Sequence, residues 1–151
     1  MELWLFRHGK AESGGLQVSD EDRALIERGR EDVAFMANQL QKDWEGKSVE
    51  FWSSPLKRAR ETTEILMSSL GGVPHIHLAI VRGDLETLLT LWAYSQADIQ
   101  IMVGHEPLLS LWLESFTGTK KDFETAGVAK IAVYSWIPPE GKFKGYQSPH
   151  N

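Results

Sequence analysis

The chain has 151 residues, a net charge of -5 and no cysteine, and these facts exclude several kinds of protein. Without cysteine there are no disulfides, thiolate metal sites or cysteine nucleophiles. The negative charge argues against a general nucleic-acid binder, because such proteins present a broad basic surface. A hydrophobic content of 42% and a charged content of 25% are ordinary for a globular protein, and the length suits one domain over residues 1–151.

The first predicted element is a short apolar run that ends in Arg7-His8-Gly9. Residues 3–6 are continuously apolar, which is typical of a strand buried on both faces of an α/β sheet. Ligands of such proteins bind beyond the carboxyl ends of the strands, so Arg7 and His8 are candidate site residues. Gly9 allows a sharp turn or a close approach of the backbone.

A polar loop over residues 10–22 and then a helix are predicted next. Ser19, Asp20 and Asp22 are capping candidates for this helix, and apolar residues recur at spacings of three and four up to Leu40. Gly29 lies inside the helical pattern, where glycine costs about 1 kcal/mol relative to alanine. We therefore expect a close packing contact at this glycine.

The second strand is predicted over residues 49–52 and leads into a second helix. Ser54 before Pro55 is typical of a helix start, with the serine as cap and the proline at the first helical position. Arg58 then falls in the first turn, close to the carboxyl end of the preceding strand.

The second half of the chain continues the alternation of strands and helices. A strand over residues 75–81 precedes a helix capped by Asp84, and a strand over residues 99–103 ends at Gly104-His105-Glu106-Pro107. An apolar helix then runs from Pro107 to about Phe116. A last strand over residues 127–136 stops at Pro138-Pro139, and the tail is polar.

This alternation predicts a three-layer α/β/α fold with a largely parallel central sheet. His8 and His105 both follow strands, so they come out on the same edge of the sheet, together with Arg7 and Arg58. A neutral imidazole is a competent nucleophile, and arginine presents a fork of donors that matches phosphate oxygens. The set therefore predicts phosphoryl chemistry.

The motifs that carry these residues resemble those of the histidine phosphatase superfamily, whose fold is phosphoglycerate mutase-like. They are the RHG motif Arg7-His8-Gly9, Arg58 within Ser53-Ser54-Pro55-Leu56-Lys57-Arg58-Ala59, and Gly104-His105-Glu106-Pro107. Further segments are similar to the small SixA-type phosphohistidine phosphatases, namely Asp22-Arg23-Ala24-Leu25, Arg28-Gly29, Arg60-Glu61-Thr62, Thr125-Ala126-Gly127-Val128-Ala129 and Gln147-Ser148-Pro149.

The resemblance implies a role for each matching residue. His8 is the nucleophile that becomes phosphorylated, and Arg7, Arg58 and His105 form the pocket for the phosphoryl oxygens, with His105 protonated there. Gly9, Arg23 and Ser54 are phosphate-binding or supporting candidates, although Arg23 is equally compatible with a solvated helix start. The scheme needs no metal or cofactor, and His75 and His77 are expected to be incidental surface residues.

The general acid is the open element of the site. Larger members of the superfamily place a carboxylic acid after the third strand, and Asp84 and Glu86 lie in about that region. Asp84 is equally compatible with a plain helix cap. A phosphohistidine substrate depends less on such an acid than an alkyl phosphate does, because its imidazole can leave in protonated form.

The sequence therefore predicts a phosphatase with a phosphohistidine intermediate and a phosphohistidine-bearing protein as substrate, which suggests a role in signal transduction. Two alternatives stay open: a small-molecule phosphomonoesterase of the same superfamily, and a non-catalytic module that binds phosphorylated ligands. No nucleic-acid or membrane partner is expected, and we expect a cytoplasmic monomer, because no signal peptide or membrane-spanning apolar run is present.

Overall fold

The computed structural model describes residues 1–150, which form six strands and five α-helices. The strands are β1 (Glu2–Arg7), β2 (Val49–Ser53), β3 (His75–Ile76), β4 (Ile99–Gly104), β5 (Val128–Ser135) and β6 (Glu140–Gln147). The helices are α1 (Glu27–Trp44), α2 (Lys57–Met67), α3 (Ala79–Arg82), α4 (Leu85–Ala93) and α5 (Leu108–Thr117), and a 3-10 turn covers Asp20–Asp22.

The strands form one sheet in the order β3-β2-β4-β1-β5-β6. Strands β3, β2, β4 and β1 are parallel to one another, whereas β5 is antiparallel to both β1 and β6. Arg7 is paired with Gly104, and Ser53 is paired with Val103. The carboxyl ends of β1, β2 and β4 are therefore level with one another, and the residues that follow them share one edge.

Two separate apolar clusters cover the two faces of the sheet. Leu3 and Leu5 pack with the α3, α4 and α5 side, whereas Trp4 and Phe6 pack with α1 and α2. This division follows from the strand period of two, which sends successive side chains to opposite faces. All four side chains are almost completely buried, so β1 lies at the centre of the predicted three-layer fold.

Two elements differ from the sequence prediction. Strand β3 ends at Ile76, and the apolar residues that follow form α3, because a short apolar run does not by itself distinguish strand from helix. The proline pair does not end the sheet: β6 follows it as an edge strand with a polar, exposed face. Among residues 1–150, none of the helices has the length and apolar character needed to span a bilayer.

Helices α1 and α2 also begin later in the sequence than predicted. Helix α1 begins at Glu27 after an Ile26 cap, and α2 begins at Lys57 after a Leu56 cap. Ser54 thus lies ahead of α2, although its Oγ still accepts a hydrogen bond from the Leu56 N–H at 3.2 Å. The serine hydroxyl is left close to the sheet edge, where it meets a site residue.

Candidate active site

The carboxyl ends of β1 and β4 bring His8 and His105 together. The His8 backbone N–H donates to the Gly104 carbonyl at 3.3 Å, which continues the pairing of the two strands by one residue. The two imidazole rings have centroids 5.1 Å apart and planes inclined at 54°. The predicted convergence of the two histidines on one edge is therefore confirmed.

His8 is a buried imidazole with a defined tautomer. Its Nδ1 lies 2.8 Å from the Gly9 carbonyl oxygen, which can only accept, so Nδ1 carries the hydrogen and Nε2 keeps its lone pair. Burial, aided by the positive charges of Arg58 and Arg7, lowers the pKa of His8 to about 4 despite the opposing bond to Gly9. At pH 7 the ring is neutral, and Nε2 keeps the lone pair that a nucleophile needs.

His105 lies between Ser54 and the arginines. Its Nε2 is 2.7 Å from the Ser54 Oγ, whereas its Nδ1 is buried and has no hydrogen-bond partner among residues 1–150. Burial first, and then the charges of neighbouring His8, Arg58 and Arg7, lower the pKa of His105 to about 3. The expected protonated His105 is therefore not the state of the free site, where the imidazole is neutral at pH 7.

The Arg7 side chain is held by Phe123, which lies 116 positions later in the sequence. Its guanidinium donates from NH1 to the Phe123 carbonyl at 2.7 Å, and the Phe123 N–H donates to the Glu106 carboxylate at 2.9 Å. The buried Nε of Arg7 has no partner in the described part of the chain. One end of this arginine is held, and its buried Nε–H is left without an acceptor among the described residues.

Arg58 enters the site from the first turn of α2. The residue is 7% exposed, its NH1 donates to the Asp20 carbonyl at 2.8 Å, and its NH2 lies 3.4 Å from the Asp20 carboxylate. Its buried Nε has no hydrogen-bond partner within residues 1–150. Burial lowers the pKa of Arg58, but a guanidinium keeps its proton at neutral pH.

Sequence comparison assigns the chain to a known family. A sequence profile of the histidine phosphatase superfamily (branch 1) matches residues 3–82, more than half of the chain. The chain belongs to the histidine phosphatase superfamily. An uncharacterized protein of Picosynechococcus sp. is 34% identical over 140 residues, which cover 85% of this chain and 82% of the relative.

Solved structures share the fold of this histidine phosphatase. The protein histidine phosphatase SixA complexed with tungstate has a TM-score of 0.85 at 22% identity, covering 100% of this chain and 99% of that one. A protein named as phosphohistidine phosphatase SixA from Agrobacterium tumefaciens has a TM-score of 0.81 at 23% identity, covering 98% and 97%. An Escherichia coli protein named as an alpha-ribazole-5'-P phosphatase has a TM-score of 0.77 at 16% identity, covering 99% and 98%. The predicted phosphoglycerate mutase-like architecture is confirmed.

Gly9 supports the candidate site through its backbone. Its carbonyl accepts from His8, and its N–H donates to the Thr62 Oγ1 at 3.0 Å. A Cβ at this position would lie 2.8 Å from Val33 Cγ2 and 2.9 Å from the Gly29 carbonyl oxygen. A Cβ at Gly29 would clash even more closely with the Lys10 backbone. Both positions therefore need glycine, because α1 approaches the site loop closely.

Arg23 lies at the rim of the site. Its guanidinium donates from Nε to the Glu12 carbonyl at 2.5 Å and from NH1 to the Asp20 carboxylate at 2.9 Å. The same carboxylate faces Arg58, so Asp20 bridges the two arginines. The Arg23 side chain is 26% exposed, which places it nearer to solvent than Arg58.

Asp84 and Glu86, the candidates for a general acid, lie at the start of α4. Asp84 caps α4, where its carboxylate accepts from the Thr87 N–H at 3.2 Å and the Thr87 hydroxyl at 2.6 Å. The hydroxyl bond is the largest cause of a pKa below the ordinary value, whereas a general acid needs a raised pKa. Glu86 is exposed to solvent in the first turn of α4.

Four supporting residues were missed by sequence reasoning: Asp20, Thr62, Glu106 and Phe123. Thr62 had a usable signal, because it lies one helical turn after Arg58 and so shares its face. Phe123 had none, since its contact with Arg7 is made by a backbone carbonyl. Within the described residues no three His, Asp or Glu side chains are grouped to hold a metal ion, and His75 stacks on Trp52 with its centroid 4.2 Å away.

Proposed function

We propose that this histidine phosphatase hydrolyses phosphohistidine on a protein through a phosphohistidine intermediate on His8. The observation that carries the proposal is a set of buried nitrogens near His8 that have no hydrogen-bond partner among residues 1–150. Arg7 Nε, Arg58 Nε and His105 Nδ1 are buried without a partner among residues 1–150, beside a neutral imidazole. Buried donors are rarely left unpaired, and a phosphoryl group offers the acceptors that they lack.

The first step transfers the phosphoryl group to the enzyme. The lone pair of His8 Nε2 attacks phosphorus and forms a P–N bond, while the bond from phosphorus to the leaving group breaks and its electrons stay with that group. Arg7 and Arg58 neutralise charge on the three non-bridging oxygens. The Nδ1 hydrogen of His8, held on the Gly9 carbonyl, stabilises the ring as its Nε2 becomes substituted.

The second step regenerates the imidazole. A water oxygen attacks phosphorus, the P–N bond to His8 breaks, and its electrons return to Nε2. The water proton passes to the leaving phosphate or to solvent, so that inorganic phosphate and neutral His8 are the products. Arg7 and Arg58 neutralise the charges of the substrate oxygens in both steps, and the scheme uses no metal ion.

The state of Asp84 supports phosphohistidine over an alkyl phosphate. Its carboxylate is an ionised cap with a lowered pKa, so Asp84 holds no proton for an alkoxide leaving group. An imidazole leaves as a neutral ring once its second nitrogen is protonated, and its ordinary pKa near 6.5 makes that protonation accessible at neutral pH. The structures named SixA support the same substrate class by their fold.

A single-turnover reaction in the presence of a chelator tests the proposal. Excess pure enzyme is mixed with a phosphohistidine-bearing protein, and both released phosphate and acid-labile, base-stable phosphate on the enzyme are followed. We expect transient label on His8 and stoichiometric release of phosphate. A parallel reaction with His8→Ala is the control for the nucleophile, and His75→Ala is the control for an unrelated imidazole.

The other outcomes point to the alternatives. Faster release from small phosphate esters than from phosphohistidine would assign a small-molecule phosphomonoesterase, a class to which the alpha-ribazole-5'-P phosphatase of Escherichia coli belongs by its name. Phosphate binding without label or release, from folded protein, would assign a non-catalytic binding module. Turnover by His8→Ala protein would contradict both enzyme assignments.

A further inference from the structure

We infer that Ser54 is a positioning residue that fixes the tautomer of His105, so that Nδ1 carries the hydrogen and donates to a phosphoryl oxygen. The identity of the oxygen rests on the proposed function, whereas the tautomer does not. Ser54 is completely buried, and its Oγ lies 2.7 Å from His105 Nε2. The inference follows from counting the hydrogens that these two side chains share.

The Ser54 hydroxyl has one hydrogen to donate and two lone pairs to accept with. One lone pair is taken by the Leu56 N–H, which donates to Oγ at 3.2 Å. The hydroxyl hydrogen then needs an acceptor, and within residues 1–150 His105 Nε2 is the polar atom at hydrogen-bond distance that can accept it. A Ser54-to-His105 bond therefore leaves Nε2 unprotonated.

The opposite assignment leaves two groups unsatisfied. If Nε2 carried the hydrogen and donated to Oγ, the Ser54 hydroxyl hydrogen would have no acceptor inside a fully buried site. His105 Nδ1 lacks a partner inside the protein in either assignment, so the opposite assignment leaves one buried group more without a partner. Because buried polar groups are nearly always paired, this tautomer is the unfavourable one.

The hydrogen on Nδ1 is useful only to an acceptor that arrives from outside. Nδ1 is buried without a partner, and Arg7 Nε and Arg58 Nε are buried donors in the same condition. Burial, and after it the nearby cationic groups, lowers the pKa of His105 and so disfavours its second proton. His105 therefore meets the ligand as a neutral N–H donor, with one hydrogen fixed in place by the serine.

The two histidines thus have complementary roles despite the same tautomer. In His8, Nδ1–H is bound by the Gly9 carbonyl, and Nε2 faces the chemistry with a lone pair. In His105, Nε2 is bound by Ser54, and Nδ1 faces the ligand with a hydrogen. The Gly9 carbonyl is an acceptor, so it leaves His8 with a lone pair to attack. The Ser54 hydroxyl is a donor, so it leaves His105 with a hydrogen to donate.

The tautomer is measured on the ligand-free full chain by 15N nuclear magnetic resonance of the histidine rings at pH 7. We expect His105 to have a protonated Nδ1 and a hydrogen-bonded, unprotonated Nε2. In Ser54→Ala the resonances should move toward the Nε2–H form, whereas Ser53→Ala, which removes a neighbouring buried hydroxyl bonded to the Ser54 carbonyl, should leave them unchanged. A wild-type His105 protonated at Nε2 would overturn the inference, whether or not the protein is a phosphatase.

The donor role is tested by two substitutions of His105 itself. An asparagine amide replaces a donor at the Nδ1 position, whereas a glutamine amide reaches the Nε2 position. We expect His105→Asn to keep single-turnover rates within about 10-fold of wild type and His105→Gln to lose about 10²–10³-fold. The reverse order would overturn the donor role of Nδ1.

The coupling of Ser54 to His105 is tested by a double-mutant cycle. Ser54→Ala alone should lower the rate by about 10-fold, and in the His105→Asn background it should lower it by less than about 2-fold, because asparagine has no atom at the Nε2 position. Equal losses in both backgrounds would show that Ser54 acts on something other than His105. If wild-type protein shows no turnover, affinity for inorganic phosphate replaces the rate in the same cycle, so a failed function and a failed inference remain distinguishable.

Discussion

Cationic side chains lie at both ends of β1, but their partners differ. At the amino end Lys130 lies 2.6 Å from the Asp43 carboxylate, and Lys144 lies 3.4 Å from the Glu2 carboxylate. At the carboxyl end, Arg7 and Arg58 are tied by carbonyls and by one exposed aspartate, and each keeps a buried Nε without a partner in residues 1–150. Paired lysines stabilise a surface modestly, whereas buried arginines with spare donors are prepared for an anionic ligand.

A cluster of positive charge is therefore not by itself an anion site. What distinguishes the carboxyl end is burial together with unsatisfied donors, and the presence of a neutral nucleophile among them. The Trp4 indole shows the contrast, since Lys130 lies 4.2 Å from its ring centroid and is therefore already engaged by both a ring and a carboxylate.

Replacing the nucleophile should produce the largest difference between the two ends. We expect His8→Ala to lower single-turnover phosphate release by at least about 10³-fold, because the covalent step is lost while the arginine pocket stays. Circular dichroism and thermal unfolding should show a folded protein. A residual rate within 10-fold of wild type would mean that the carboxyl end is not organised around His8.

Removing one cation from each end sharpens the comparison further. Arg58→Ala should reduce kcat/KM by about 10²–10³-fold, because a preorganised donor to the phosphoryl oxygens is lost. Lys130→Met at the opposite end should leave kcat/KM unchanged and lower the free energy of unfolding by no more than about 1 kcal/mol. Similar losses of kcat/KM in the two variants would erase the proposed distinction.

The buried histidines should also make stability depend on pH. Both bind protons more weakly in the folded protein, with the pKa of His8 at about 4 and that of His105 at about 3, than at their ordinary value of 6.5. Between about pH 6.5 and pH 4 the unfolded chain therefore binds more protons, and the free energy of unfolding falls as the pH is lowered.

Urea unfolding across that window measures this effect. His8→Asn should remove about 1.4 kcal/mol per pH unit from the slope, which corresponds to one proton difference per molecule. An unchanged slope in this variant would show that the His8 site does not hold its imidazole neutral.

Two adjacent threonines offer the smallest and most selective test. Thr62 and Thr63 are both fully buried, and each hydroxyl donates to the carbonyl four residues earlier. Thr62 Oγ1 also accepts from the N–H of Gly9, the residue whose carbonyl accepts from His8 Nδ1. Thr62→Val should lower kcat by about fivefold with little change in KM, because one net hydrogen bond that orients the nucleophile is lost. Thr63→Val, compared in the same assay, should keep wild-type kcat.

The sequence was sufficient to predict the central strand and the edge that carries the four main site residues. Residues 3–6 are apolar on both faces, and histidines follow two strands directly, so parallel topology alone brings His8 and His105 together. The helix start assigned to Ser54 was wrong, because α2 begins at Lys57 after a Leu56 cap. The contact of the Ser54 hydroxyl with His105 had no local signal, since His105 lies far along the chain.

The supporting contacts were harder to predict for two physical reasons. Arg7 is held by the carbonyl of Phe123, and a backbone group carries no signature of residue type. Asp20, predicted as a capping candidate for the first long helix, instead lies in a separate 3-10 turn and bridges Arg23 and Arg58. The edge strand β6 was missed because its polar, half-exposed alternation resembles a loop until β5 supplies its hydrogen bonds.

The central position of β1 has a consequence for synthesis on the ribosome. Its hydrogen-bonded neighbours are β4 and β5, which lie about a hundred residues later in the chain. At about 5–20 residues per second, the nascent chain waits on the order of 5–20 s before either neighbour is made. During that time Leu3 to Phe6 form an apolar segment whose two sheet neighbours have not yet been made, which makes it a natural target for chaperones.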